Sequence, residues 1–116
     1  ARIWECTRFC LARGADPRAA AALMMSVGEC LRNFDVDHCV AVFDARMIRI
    51  YRMIGASPEV LGSVGSGRSQ ISVGLWELSE DAIQSVAGKS GIAREQCRHW
   101  FEQAFGSDHQ AFAKTA

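Results

Sequence analysis

Glu5 and Arg8 stand three residues apart in RIWECTRFCL (2–11), a run otherwise dominated by Ile3, Trp4, Phe9 and Leu11. A carboxylate in a dry cleft has its pKa raised and becomes a better general base. An arginine beside it pulls the other way, keeping the acid ionised, and offers a rigid fork to other carboxylates. The pair therefore suits proton removal from a substrate next to a bound anion. In a regular strand, residues three apart point to opposite faces, and a β-bulge between them would restore a common face.

Other reactive types are less suggestive. The five cysteines (Cys6, Cys10, Cys30, Cys39, Cys97) are odd in number, lack C-x-x-C spacing and sit among apolar neighbours. They read as buried, reduced thiols of a cytoplasmic protein. A zinc site from Cys6, Cys10 and His38 lacks further ligands at recognisable spacing, so no metal is expected. His38 reads as a strand-edge residue and His99 and His109 as surface residues, which leaves no Cys–His nucleophile.

GSVGSG (62–67) matches a phosphate-gripping pattern, but it lies between two β runs and opens no helix. Hairpin glycines account for it better. AGKSGIAREQC (87–97) has helix-turn-helix spacing, which raises DNA binding as a minor alternative. The helix that follows carries Glu95 and Glu102 beside Arg94 and Arg98, a poor surface for phosphates. Arg46, Arg49 and Arg52 form a basic stripe that reads either as a solvated helix face or as a dock for an acidic partner.

The elements that must position these residues follow from spacing. Residues 2–11 read as a strand. Asp16 and Pro17 supply a cap and a first-turn proline for a helix over about 17–33, with apolar residues from Ala20 to Phe34 at helical spacing. HCVAVF (38–43) suits a buried strand. Asp44 caps a helix whose Met47, Ile50, Tyr51 and Ile54 form one stripe, ended by Gly55. Strands follow at Glu59–Val64 and Gln70–Leu78. Ser79 caps a helix near 80–89 that breaks at Gly91. A last helix near 93–105 carries Cys97, Trp100, Phe101 and Ala104. The order is β-α-β-α-β-β-α-α, an α/β (α+β) layer.

The 116 residues suffice for one domain with a modest core, and 49% hydrophobic and 22% charged residues are ordinary for a globular chain. Zero formal charge argues against whole-chain attraction to nucleic acid or anionic lipid, and no apolar run is long enough to span a bilayer. A strand carrying two charges wants neighbours on both edges, yet nothing precedes it here. The chain thus reads as the later part of a larger domain.

WECTRFCL (4–11), VFDARMIRIYRMIG (42–55), PEVLG (58–62) and ISVGLWE (71–77) occur in an informative order and separation. Together they resemble the C-terminal half of an acyl-homoserine-lactone synthase, the autoinducer synthase of bacterial quorum sensing. The resemblance covers 1–105 and leaves 106–116 as a frayed tail. It implies an N-acetyltransferase-like mixed sheet flanked by helices, only half of which is spanned.

The activity it implies is transfer of an acyl group from acyl carrier protein to the amine of S-adenosylmethionine. Lactone closure then releases methylthioadenosine. S-adenosylmethionine would be a substrate, with no permanently bound cofactor. The family's Glu-x-Ser/Thr-Arg-Phe motif falls on Glu5, Thr7, Arg8 and Phe9, making Glu5 the expected proton acceptor and Arg8 the residue that holds carboxylates. The fold implies a bulge within Glu5–Phe9.

The acyl chain is expected between this strand and Cys39–Phe43, with Thr7, Phe9, Ala41, Val42, Phe43, Met47 and Trp76 as pocket residues. Ala41 falls where some members carry a threonine associated with 3-oxo chains, so a different substituent is expected. Arg46, Arg49 and Arg52 would dock the carrier protein. The family's S-adenosylmethionine-binding residues have no counterpart here, so the isolated chain is expected to be inactive. The alternatives are another N-acyltransferase of this fold and a non-catalytic binding fragment.

Overall fold

Most helix ends fall where the sequence supplies a chemical reason. The computed structural model describes residues 2–16 and 18–106. Its order is β1 (Ile3–Glu5), α1 (Ala19–Asn33), β2 (His38–Asp44), α2 (Ala45–Met53), β3 (Glu59–Val64), β4 (Ile71–Glu77), α3 (Glu80–Ser90) and α4 (Arg94–Phe105). This is the expected succession. Pro17, most of the tail and His109 lie outside the described residues.

The Asp16 carboxylate accepts the Arg18 N–H at 2.7 Å, which supplies the cap ahead of α1. Asp44 accepts the Arg46 N–H at 3.0 Å to start α2, and Ser79 Oγ accepts the Ala82 N–H at 3.1 Å to start α3. Both α1 and α2 end in paired return hydrogen bonds around a left-handed residue. After α2, Gly55 has φ 78°, and Ala56 N–H reaches Tyr51 O at 2.8 Å. After α1 the left-handed position is taken by Asp35, φ 57°, while Val36 N–H reaches Leu31 O at 3.0 Å.

The four strands form one mixed sheet in the order β1-β2-β4-β3. β1 runs parallel to β2, and the other pairs are antiparallel. The pleat sends Trp4, Cys39, Ala41, Phe43 and Trp76 to one face. The helices' buried residues meet that face in two clusters. One joins Ala20, Ala21 and Met25 to Phe43, Tyr51, Ile54, Val86 and Cys97; the other joins Leu31, Phe34 and Val36 to Cys39 and Phe101. The opposite face keeps Ile3, Val42, Val64 and Ile71 exposed. The mixed sheet is thus flanked by helices, as expected, and they pack on one of its faces.

One buried carboxylate ties the helical layer together. Glu29 is buried, yet its oxygens accept from Arg32 at 3.0 and 3.2 Å and from Asn33 Nδ2 at 3.1 Å. Arg32 also approaches Glu80 at 3.9 Å, and Glu80 accepts from Arg94 at 2.6 Å, linking α1, α3 and α4.

Several expectations need correction. Strand β1 stops at Glu5 instead of running to residue 11. Cys10 is exposed, because it belongs to the irregular stretch after β1. On α4 only Cys97 and Phe101 are buried, while Trp100 and Ala104 are exposed. An α-helix places residues four apart on one face, and here that face is the Cys97–Phe101 side. In GSVGSG, Gly62–Val64 complete β3, and Gly65 (φ 80°) and Gly67 (φ 58°) turn the chain towards β4. A bulge does occur in the sheet, between Val60 and Gly62 of β3.

Candidate functional site

The end of β1 decides the site's shape. Trp4 and Glu5 pair with Cys39 and Val40, and Cys6 N–H still donates to Val40 O at 2.9 Å. Pairing then stops, and Arg8 takes the left-handed conformation with φ 60°. Strict alternation from Ile3 and Glu5 would send Phe9 to the uncovered face. Instead Phe9 packs against the helical cluster and meets Tyr51 edge to face, centroids 6.2 Å apart. The change of side that a bulge was expected to produce is thus made by a turn of the backbone, after the ladder with β2 has ended. Burial of Phe9 against Tyr51 accounts for the chain leaving β2.

Where the chain departs, a cavity of about 820 Å³ opens between the sheet and the helices. Arg8, Phe9, Ala41, Phe43, Arg46, Met47 and Trp76 all border it. Val42 borders it too, but the pleat turns its side chain to the other face, where it is 62% exposed. Glu5, Thr7, Arg49 and Arg52 are not among the bordering residues, and all four are exposed. No hydrogen bond or ion pair among the described residues joins Glu5 to Arg8. Glu5 shares the uncovered face with Val40, whereas Arg8 stands at the cavity rim. The two are therefore not brought together on one face.

The inner wall is aromatic. Tyr51 is its hub, with Phe43 at 5.2 Å and Trp76 at 5.0 Å between ring centroids, both edge to face. Trp76 Nε1 donates to Ala56 O at 2.6 Å, which locks the indole against the end of α2. Cys6 and Cys39 also face the cavity, and their thiols lie beside each other. Burial, reinforced by Cys6, pushes the Cys39 thiol up to about 11. Burial likewise raises the Tyr51 phenol to about 12, with Cys6, Cys39 and Asp44 adding to it. Neither group ionises near neutral pH, so neither is a ready nucleophile. At the rim, the Arg46 guanidinium hydrogen-bonds Asp44 and holds its carboxyl below the usual range.

This arrangement can sequester an apolar chain while presenting a guanidinium at its mouth. Among the described residues there is no group of three or more His, Cys, Asp or Glu side chains placed to hold a metal ion. Sequence reasoning missed Cys6, Cys39 and Tyr51 as wall residues. Cys6 was signalled by its parity with Trp4, and Tyr51 by its hydroxyl within an otherwise apolar helical stripe.

The chain is 33% identical over 99 residues to a curated acyl-homoserine-lactone synthase of Rhizobium etli, a match covering 80% of this chain and 46% of that protein. The chain is thus similar to an acyl-homoserine-lactone synthase. It spans about half the length of the curated relative it matches. Its fold matches the solved structure of a CoA-dependent acyl-homoserine lactone synthase, MesI, with a TM-score of 0.65 and 22% identity. That superposition covers 78% of this chain and 48% of the other, and it speaks to the fold alone. No protein-family model matches the chain. No helix among the described residues is long and apolar enough to cross a membrane.

Proposed function

We propose that this chain is the acyl-holding half of an autoinducer synthase acting in the cytoplasm. The intact protein moves an acyl group from the phosphopantetheine arm of acyl carrier protein to the amine of S-adenosylmethionine, and lactone closure then releases methylthioadenosine. The observation that carries this reading is the aromatic-walled cavity of about 820 Å³ beside the end of β1, a size within the roughly 300–1,000 Å³ usual for small-molecule sites. Its place in a chain similar to a lactone synthase makes an acyl chain the natural occupant.

In the transfer step, the free amine attacks the thioester carbonyl carbon, a C–N bond forms, and the C–S bond breaks. The proton leaving nitrogen goes to a base, and the pantetheine thiolate departs and takes up a proton. Arg8 at the rim fits a group that steadies carboxylate or carbonyl oxygen near the thioester. Glu5, the last paired residue of β1, is assigned as the proton acceptor of the intact protein, and in this chain its side chain lies on the other sheet face. Thr7 accompanies them at the strand end. No residue of this chain is assigned to hold S-adenosylmethionine, and the isolated chain is proposed to be inactive.

A second donor is favoured by one observation: the structurally similar MesI is CoA-dependent. Coenzyme A carries the same pantetheine arm, so the same cavity serves either donor. Arg46, Arg49 and Arg52 suit an acidic carrier protein or the nucleotide phosphates equally.

Calorimetric titration of the purified chain with octanoyl-pantetheine tests the reading. Saturable one-to-one binding that Ala41→Trp abolishes is expected. Absence of binding overturns the acyl-pocket assignment. Lactone formation by the isolated chain from acyl carrier protein thioester and S-adenosylmethionine would overturn the proposed inactivity.

A further inference from the structure

Tyr51 is 3% exposed, and its hydroxyl makes no hydrogen bond to any described residue. It is also absent from the sealed, unpartnered polar atoms, so it reaches open space, and Tyr51 borders the cavity. A hydroxyl removed from bulk water without a partner costs free energy unless something else satisfies it.

Several other polar groups that border the cavity are occupied, while the Cys6 and Cys39 thiols lie near the phenol and His38 Nδ1 is sealed without a partner. Trp76 Nε1 donates to Ala56 O, Ser85 Oγ donates to Gly55 O at 3.0 Å, and Ser79 Oγ accepts from Ala82 N–H. Arg8, Ser57 and Glu59 are exposed at the rim. Ala41 contributes only a methyl group. Tyr51 thus holds a buried, unclaimed donor and acceptor in an apolar wall, set among Phe9, Phe43 and Trp76.

We infer that the Tyr51 hydroxyl is a specificity-determining contact that selects acyl groups bearing an oxygen, as a carbonyl or hydroxyl on the chain, over saturated chains of equal length. This rests on the acyl-pocket reading above. The phenol can donate to a carbonyl and can both donate to and accept from a hydroxyl. It stays neutral across the physiological range, so the selection does not depend on pH there. A saturated chain leaves the hydroxyl unpaired, and a site built to bond a substrate oxygen penalises the analogue that lacks it.

The test is calorimetric titration of the chain with pantetheine thioesters of octanoic, 3-oxooctanoic and 3-hydroxyoctanoic acids. One oxygenated ligand is expected to bind about tenfold tighter than octanoyl-pantetheine, as one neutral hydrogen bond allows. Tyr51→Phe should bring that ratio within about twofold, with octanoyl-pantetheine binding at least as tightly as to the parent chain because no hydroxyl is then left unpaired. Equal affinities in the parent chain, or an unchanged ratio in Tyr51→Phe, overturn the inference and leave the pocket standing. Failure of every ligand to bind overturns the pocket reading, and the inference with it.

A second measurement avoids any variant. Tyr51 is the chain's one tyrosine. Its ¹³Cζ resonance should move with the oxygenated ligand beyond its response to octanoyl-pantetheine. Equal movement with both ligands counts against the inference.

Discussion

Tyr51 and Trp76 meet edge to face with centroids 5.0 Å apart, and Ala56 fastens both of them. Its N–H reaches back to Tyr51 O at 2.8 Å, while its carbonyl accepts the Trp76 indole N–H at 2.6 Å. The cap that ends α2 therefore also fixes the indole of β4. The left-handed Gly55 makes this geometry available, and it is closely packed as well: an added Cβ would meet Lys89 Cδ and Ser85 Oγ at 3.0 Å.

Trp76→Phe should therefore be costly for a nominally conservative change. It removes the indole donor, leaves the Ala56 carbonyl unpaired, and opens space where the larger ring stood. A loss of about 2 kcal/mol is expected from the hydrogen-bond and cavity effects together. Urea unfolding of the parent chain and the variant measures it. A change below about 0.5 kcal/mol, the range of ordinary surface substitutions, would show that the indole bond contributes little.

Gly74 probes the same wall from the sheet. It pairs with Ala41, and a Cβ there would lie 2.6 Å from Phe43 Cε1 and 2.8 Å from Pro58 Cβ. Gly74→Ala must push Phe43 towards the cavity or move Pro58. An overpacking cost of about 1–3 kcal/mol is expected, with weaker octanoyl-pantetheine binding if Phe43 yields inward. Gly74→Ala with Phe43→Leu should recover part of both losses, and calorimetry alongside unfolding follows the two effects separately.

The order of elements was legible because each local signal agreed with its neighbours. Asp44 and Ser79 announced helix starts, Gly55 and Gly91 announced ends, and the glycines of 62–67 announced a hairpin. The extent of β1 was not legible. Residues 6–11 have strand composition, yet the contact of Phe9 with Tyr51, made across more than forty residues of chain, pulls them away from β2. The same long-range contact separated Glu5 from Arg8, whose three-residue spacing was read within a continuous strand. Asp35 in the left-handed position was also hidden, because a glycine is the usual sign of such a cap.

Acid stability should depend on Glu80. The Arg94 guanidinium hydrogen-bonds Glu80 and, with Arg32 further off, holds its carboxyl below the ordinary glutamate range. A carboxyl depressed on folding contributes stability that is present above its unfolded value of 4.5 and is lost as pH falls through the lower folded value. Thermal unfolding temperatures should therefore fall below pH 4.5. Glu80→Gln should flatten that acid limb without changing the slope near neutrality. An acid limb identical in the two proteins would place the sensitivity elsewhere.

The basic stripe on α2 offers a test between the two proposed donors. Arg46 is tied to Asp44 at 3.0 Å, whereas Arg49 and Arg52 are exposed and form no ion pair among the described residues. Exposed charges act mainly on encounter and are screened by salt. In the intact enzyme, Arg49→Glu with Arg52→Glu should raise the Michaelis constant for an acylated carrier protein by about tenfold, since opposing charge slows the docking of an acidic partner. The increase should shrink as salt is added, and kcat should hold. Acyl-CoA is a small molecule that needs no extended docking surface, so on the carrier-protein reading its Michaelis constant should move far less. Equal effects on both donors would return the stripe to a solvated face, and a larger effect on acyl-CoA would make the nucleotide its ligand.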